Sequence, residues 1–194
     1  MCPGIQDTIV AVSTPPGRSF HAIIKISGPE AVPCIKSLFV SAAGIDLEDI
    51  PSYTSVKGHI HSSREGTNIP VLLYLMKKPY SYTKEDVVEI HTIGSPPLLE
   101  MLLDLLLSER GETKNCIRLS QPGEFTKRAF LHGRIDLTQA EAAMHIIRAH
   151  TDLELTASVA QLTGSFSRQI RQVQDKAVSL CAQIEAAIDF SDQD

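Results

Sequence analysis

No stretch of this 194-residue sequence is apolar for the roughly 20 residues that a membrane-spanning helix requires. The longest candidate, Pro96 to Leu107, is interrupted by Glu100 and Asp104, so a soluble protein with no membrane association is expected. The opening Met1-Cys2-Pro3-Gly4-Ile5-Gln6-Asp7 places no basic cluster before an apolar stretch and does not read as a secretory signal, which predicts a cytoplasmic protein. Cys2, Cys34, Cys116 and Cys181 are scattered and form no C-x-x-C pair, so neither a zinc site nor a disulfide scaffold is suggested and reduced thiols are expected. Positive charge is in short supply: 18 Lys and Arg stand against 23 Asp and Glu, a net charge of −5. Phosphate contacts need clustered cations, so any RNA contact must be local or lie elsewhere.

Chemical motifs are missing too. There is no G-x-x-x-x-G-K-[ST] loop to cradle phosphates and no G-x-G-x-x-G opening a helix after a strand, so nucleotide hydrolysis is not assigned to this stretch. The nearest imitation, Leu162-Thr163-Gly164-Ser165, falls inside a helical pattern, where the helix uses its amides. His59 and His61 share a strand face and His145 and His150 stand five apart on a helix, a poor spacing for shared coordination. No nucleophile-elbow pattern supports hydrolase chemistry.

What is present is a globular composition, 43% hydrophobic and 21% charged, long enough for one full domain and part of another. Composition changes near Gln121, which divides the chain into a domain over 1–120 and a helical portion over 121–194. In the first part, Thr8–Ser13, Ala22–Ser27, Thr54–Ile60, Pro70–Met76 and Val87–Thr92 are rich in Val, Ile, Leu and Tyr between turn-forming residues, and they predict strands. The polar run Ser62 to Asn68 suggests a hairpin. One helix is expected after Gly28-Pro29 to about Phe39, and a second from an N-cap at Ser95 with leucines 98, 99, 102, 103, 106 and 107 at helical spacing.

Beyond Gln121, glycine and proline almost vanish. Pro122 opens a short helix to about Leu131, and Thr138-Gln139-Ala140-Glu141 and Thr151-Asp152-Leu153-Glu154 read as capping boxes. Apolar residues from Leu155 to Ala187 then recur at steps of three and four over some nine turns, which predicts one long helix with Gly164 as a bend or a close contact. So long a stripe needs partner helices on another segment or another copy. The end, Ile188 to Asp194, lacks a clear C-cap and reads as a boundary inside a longer protein.

Three segments carry more information. Thr14-Pro15-Pro16-Gly17-Arg18-Ser19 is either a stiff connector between strands or a loop presenting Arg18 to a ligand. Thr83-Lys84-Glu85-Asp86-Val87-Val88-Glu89-Ile90 sets Glu89 among apolar residues, where a carboxylate needs a partner. A protein Arg or Lys there makes the role structural, whereas the paired N–H donors of a pterin ring make it a binding site. In the third, Gln121 to Ala142, Gly133 is a natural helix stop and the charges suit a solvated helix hairpin.

Asp7-Thr8-Ile9-Val10-Ala11, Thr14-Pro15-Pro16-Gly17-Arg18, Ile24-Lys25-Ile26-Ser27-Gly28, Pro122-Gly123-Glu124-Phe125, Arg128-Ala129-Phe130-Leu131, Asp136 to Ala142 and Ala187-Ile188-Asp189-Phe190 occur in an order that resembles the tRNA-modification GTPase family MnmE, also called TrmE. The resemblance implies an α+β fold: a mixed-sheet, tetrahydrofolate-binding-like N-terminal domain, followed by part of a helical domain with a long helix. It further implies a homodimer that works with the flavoprotein MnmG (GidA) on tRNA to form a 5-carboxymethylaminomethyl-type group at the wobble uridine, position 34. A one-carbon folate, 5-formyl- or 5,10-methylene-tetrahydrofolate, supplies the methylene carbon. The resemblance also implies GTP, Mg2+ and K+ sites in a domain outside this chain. The family's folate contacts fall on Lys25, Glu89 and Arg134, while no catalytic residue is assigned. Lys25 stands where the family usually has arginine, which removes a planar fork, and Phe20-His21 and Ile93 also depart from its pattern. These departures leave a second reading open, a dimerisation scaffold with a degenerate folate site.

Overall fold

The computed structural model describes residues 7–62, 66–108 and 117–189. The expectations placed on Cys2, Cys116, Ser63 to Glu65 and Phe190 to Asp194 lie outside the described residues. The chain divides into two compact units, with the boundary between Arg134 and Ile135.

The first unit is built on a seven-stranded sheet in the order β3-β4-β5-β6-β2-β1-β7. Its strands are β1 (Thr8–Val12), β2 (Ser19–Ser27), β3 (Phe39–Ser41), β4 (Thr54–Ser62), β5 (Thr67–Met76), β6 (Val87–Gly94) and β7 (Ile117–Leu119). Among the described residues only β1 and β7 pair in parallel; the other pairings are antiparallel, so the sheet is mixed as expected. The ladder from Thr54↔Leu75 to Ser62↔Thr67 makes β4 and β5 the expected hairpin. Alternation along the central strands sends Ile24, Ile26, Leu73, Leu75, Val88 and Ile90 into the core. Helices α1 (Ala31–Leu38) and α2 (Pro96–Ser108) cover that face through Ala31, Ile35, Leu38, Leu102 and Leu106.

Helix α1 begins at Ala31, one residue later than expected, because Glu30 joins Pro29 in the turn that precedes it. Gly28 has φ +135°, and a Cβ there would stand 2.7 Å from Thr8 Cα and 2.8 Å from the Asp7 carbonyl oxygen. Thr8 Oγ1 meanwhile accepts from the Glu30 amide at 2.9 Å, tying the helix entry to β1.

Helix α3 (Glu124–Leu131) belongs to the first unit, so the division falls fourteen residues beyond the compositional change at 120. Two of its charges are the reason: Glu124 and Arg128 enter the unit's interior, while Lys127 stays exposed. Arg128, 3% exposed, pairs with Asp7, with Glu85 at 3.1 Å and with Glu124 at 3.2 Å. Arg118 donates to Asp7 through Nε at 2.6 Å and to Glu124 through Nη1 at 2.9 Å. Ser27 completes the cluster by donating to Glu85 at 2.6 Å. Of the charges expected on a solvated helix hairpin, Lys127, Arg134 and Glu141 are exposed as expected, whereas Glu124 and Arg128 instead pin α3 to the sheet.

Foremost through its bonds with Arg118, the Glu124 carboxyl is pulled down to about 2. A lowered folded value contributes stability that is present above the ordinary carboxylate range and is lost as pH falls from about 4.5 toward 2. An acid titration of stability should therefore lose on the order of 3 kcal/mol across that window. Glu124→Gln, followed by urea unfolding at each pH, should flatten this slope; an unchanged slope would remove Glu124 as its source.

The second unit contains α4 (Leu137–Arg148), α5 (Asp152–Leu162) and α6 (Ser165–Asp189). The first capping box is displaced from its expected place. Asp136 accepts from the Gln139 amide at 2.9 Å and Gln139 Oε1 accepts from the Asp136 amide at 3.0 Å, so α4 starts before Thr138. Aspartate outranks threonine as an N-cap, and the earlier start wins. The second box forms only by half: Thr151 Oγ1 accepts from the Glu154 amide at 3.2 Å, but Glu154 turns to the His150 amide at 2.8 Å.

The expected single long helix is two helices. Gly164 sits at φ +75° between α5 and α6, a conformation in which an α-helix cannot continue, and Thr163-Gly164 is thus a break rather than helix interior. Along α6, Phe166, Ile170, Val173, Leu180 and Ile184 are all exposed. No helix among the described residues is long and apolar enough to cross a membrane.

Candidate ligand-binding site

The sheet face opposite α1 and α2 carries the odd-numbered side chains of β2 and β6. Register places Lys25 directly across from Glu89, and Glu89 across from Tyr74 on β5; Ile23, His91 and Leu72 form the neighbouring row. Lys25 Nζ meets Glu89 Oε1 at 3.0 Å, with the two side chains 26% and 20% exposed. The other carboxylate oxygen, Oε2, lies 3.3 Å from His91 Nε2. His91 Nδ1 in turn stands 2.8 Å from His21 Nε2, and the His91 ring tilts against Tyr74 with centroids 4.6 Å apart. Beside this chain lies a depression of about 630 Å³ lined in part by Lys57, His59, Asn68, Leu72 and His91.

Two of the three residues singled out in the sequence are therefore brought together. Arg134 is exposed just past α3, and no hydrogen bond or ion pair joins its side chain to Lys25 or Glu89 among the described residues. The segment leading to it is held in place: His132 Nδ1 bonds the Thr83 carbonyl at 2.6 Å, and Lys84 Nζ donates to the Gly133 carbonyl at 3.0 Å. Thr14 to Ser19 joins neighbouring antiparallel strands, and Arg18 is exposed. In the second unit, a cleft of about 430 Å³ is lined by Arg148, His150, Glu154 and Ser158 among others, and includes neither Lys25, Glu89 nor Arg134.

The partner expected for the embedded carboxylate is thus a protein lysine, joined by a histidine that sequence reasoning left out of the site. Its signal was available: residues two apart on a strand share a face, so Glu89 and His91 had to be neighbours. Glu89 retains capacity all the same, because a carboxylate offers about four acceptor positions and Lys25 and His91 each take one. Partial exposure leaves the rest open to paired N–H donors. The residues present fit the edge of a pterin.

A mixed-sheet domain with a polar, partly open face, followed by helices ending in one of 25 residues, defines a two-part α+β protein. Both parts have family counterparts. A family described as "GTP-binding protein TrmE N-terminus" matches residues 8–134, and one described as "MnmE helical domain" matches residues 137–194. The chain belongs to the TrmE (MnmE) family. It is 43% identical over 187 residues to the tRNA modification GTPase MnmE of Carboxydothermus hydrogenoformans, covering 96% of this chain and 39% of that protein. The tRNA modification GTPase MnmE of Ligilactobacillus salivarius is 42% identical over 195 residues, covering 100% of this chain and 40% of its own length. The chain thus spans about two fifths of the length of these relatives.

Proposed function

We propose that this chain is the N-terminal part of a cytoplasmic tRNA modification GTPase, and that its first unit binds a one-carbon tetrahydrofolate and dimerises. Working with the flavoprotein MnmG (GidA), the whole protein forms the 5-carboxymethylaminomethyl-type group at the wobble uridine, position 34. Bound 5-formyl- or 5,10-methylene-tetrahydrofolate supplies the carbon, and GTP, Mg2+ and K+ serve the domain that lies outside this chain. Lys25, Glu89 and Arg134 are the folate contacts: Glu89 accepts from the pterin edge, and the two cations take the folate's carboxylates or carbonyl. The observation that carries this reading is Glu89 itself, held partly open on the sheet face with acceptor capacity left over.

Calorimetric titration of the full chain with 5-formyltetrahydrofolate is the test. Saturable binding is expected, weakened on the order of 100-fold in Glu89→Ala, as loss of a charged double acceptor implies. One observation favours the scaffold reading instead: Lys25 and Glu89 pair with one another in the absence of any ligand. That reading expects a dimer in sedimentation and no folate uptake by the folded wild type.

A further inference from the structure

The proposed ligand contacts use only half of the polar chain on the open sheet face. It runs from His21 Nε2 to His91 Nδ1 at 2.8 Å and from His91 Nε2 to Glu89 Oε2 at 3.3 Å, with Lys25 on the other carboxylate oxygen. A carboxylate only accepts, so the proton on this side of His91 belongs to Nε2. A neutral His91 therefore accepts at Nδ1, and His21 Nε2–H donates to it. Every donor in the chain points toward Glu89.

One proton bridges the N···N contact; with both rings charged, two N–H groups would face one another across it, so this geometry accommodates only one charged ring at a time. His21 is exposed, whereas the His91 side chain is 16% exposed. A proton arriving at Nδ1 of His21 is relayed when the bridging proton crosses to His91 Nδ1. His21 is then neutral, and the imidazolium charge rests on His91 beside Glu89. The groups around His91 are Glu89 on its own strand, His21 and Lys25 on β2, Tyr74 on β5, and Lys57 and His59 on β4, which line the same depression. Lys25 already neutralises the carboxylate, so a further positive charge weakens Glu89 as an acceptor for a ligand's N–H donors.

We infer that His91 is a positioning residue, orienting the Glu89 carboxylate for the folate, and that the His21–His91 pair couples folate affinity to pH. The inference rests on the folate reading above. Imidazole is the side chain whose charge changes between about pH 5 and 8, so 5-formyltetrahydrofolate titrations of the full chain at both ends of that range are decisive. Wild type is expected to bind more weakly at the acid end. His91→Ala should lose about 10-fold in affinity at the upper pH. His91→Gln still donates to the carboxylate but takes no proton, so it should restore most of that affinity and abolish the pH dependence. His21→Ala should change the pH profile; a profile identical to that of wild type would remove His21 from the coupling.

Wild-type affinity indifferent to pH would overturn the coupling, and binding undiminished in His91→Ala would overturn the positioning role. Failure of folded wild type to bind at either pH would sink the folate reading and this inference with it. Nitrogen NMR of the ligand-free imidazoles decides the hydrogen-bond direction separately: the Nε2–H tautomer of His91 supports the chain as described, and the Nδ1–H tautomer refutes it.

Discussion

Arg128→Met is expected to destabilise the first unit by about 3–5 kcal/mol, the range for removing one partner of a buried ion pair. The methionine fits the volume but leaves Asp7, Glu85 and Glu124 facing one another with a single guanidinium, Arg118, in reach of Asp7 and Glu124. Glu85 then keeps only its hydroxyl donor from Ser27 among the side-chain bonds described. Urea unfolding followed by circular dichroism measures the effect. The loss should shrink in Arg128→Met combined with Glu85→Gln, since the double change removes one of the orphaned charges. A midpoint within experimental error of wild type would show that the cluster contributes nothing net.

Gly28→Ala is expected to be nearly as damaging, for a reason of backbone geometry. A φ of +135° is open to glycine and costs an L-residue about 1–3 kcal/mol. The new methyl also meets backbone atoms of residues 8 and 7 at 2.7 and 2.8 Å, which no rotamer change relieves. A total near 3 kcal/mol or more follows, with α1 the element most disturbed, because its entry is tied to β1 at this point. Thermal unfolding compared with an alanine at Gly17, where a Cβ meets nothing within 4 Å, separates contact from conformation. Equal losses at the two sites would leave the close approach to β1 without energetic weight.

Much of this fold is legible along the chain where the pattern is long. β1, β2, β4, β5 and β6 each have five or more residues with strand-forming side chains between turn residues, and all five were foreseen. β3 and β7 have three residues each, too few to establish an alternation, and their partners β4 and β1 are remote in sequence. At the caps, neighbouring candidates competed: Asp136 against Thr138, and the amide of His150 against that of Thr151 for Glu154. Gly164 was recognisable as an interruption, but the extent of the break depends on a positive φ that residue type permits without requiring.

The candidate site divides along the same line. Lys25 follows from the family resemblance alone, Glu89 also from its place among apolar residues, and strand register makes them neighbours. His21 is 70 residues from His91, and Glu85 is 43 from Arg128; no local pattern signals either pairing. Such contacts exist only once the sheet has brought distant strands side by side.

The Arg128 cluster also sets an order of events during synthesis. Asp7 and Arg128 are 121 positions apart, so the carboxylate at the start of β1 leaves the ribosome long before its guanidinium. At translation speeds of about 5–20 residues per second, that wait is roughly 6–24 s, far longer than hairpins need to form. During it the β4–β5 hairpin can assemble while Asp7 and Glu85 stay hydrated at little cost. Burial of those two carboxylates is deferred until α3 emerges, so a nascent chain stopped before Arg128 would expose the unfinished side of the sheet to chaperones and proteases.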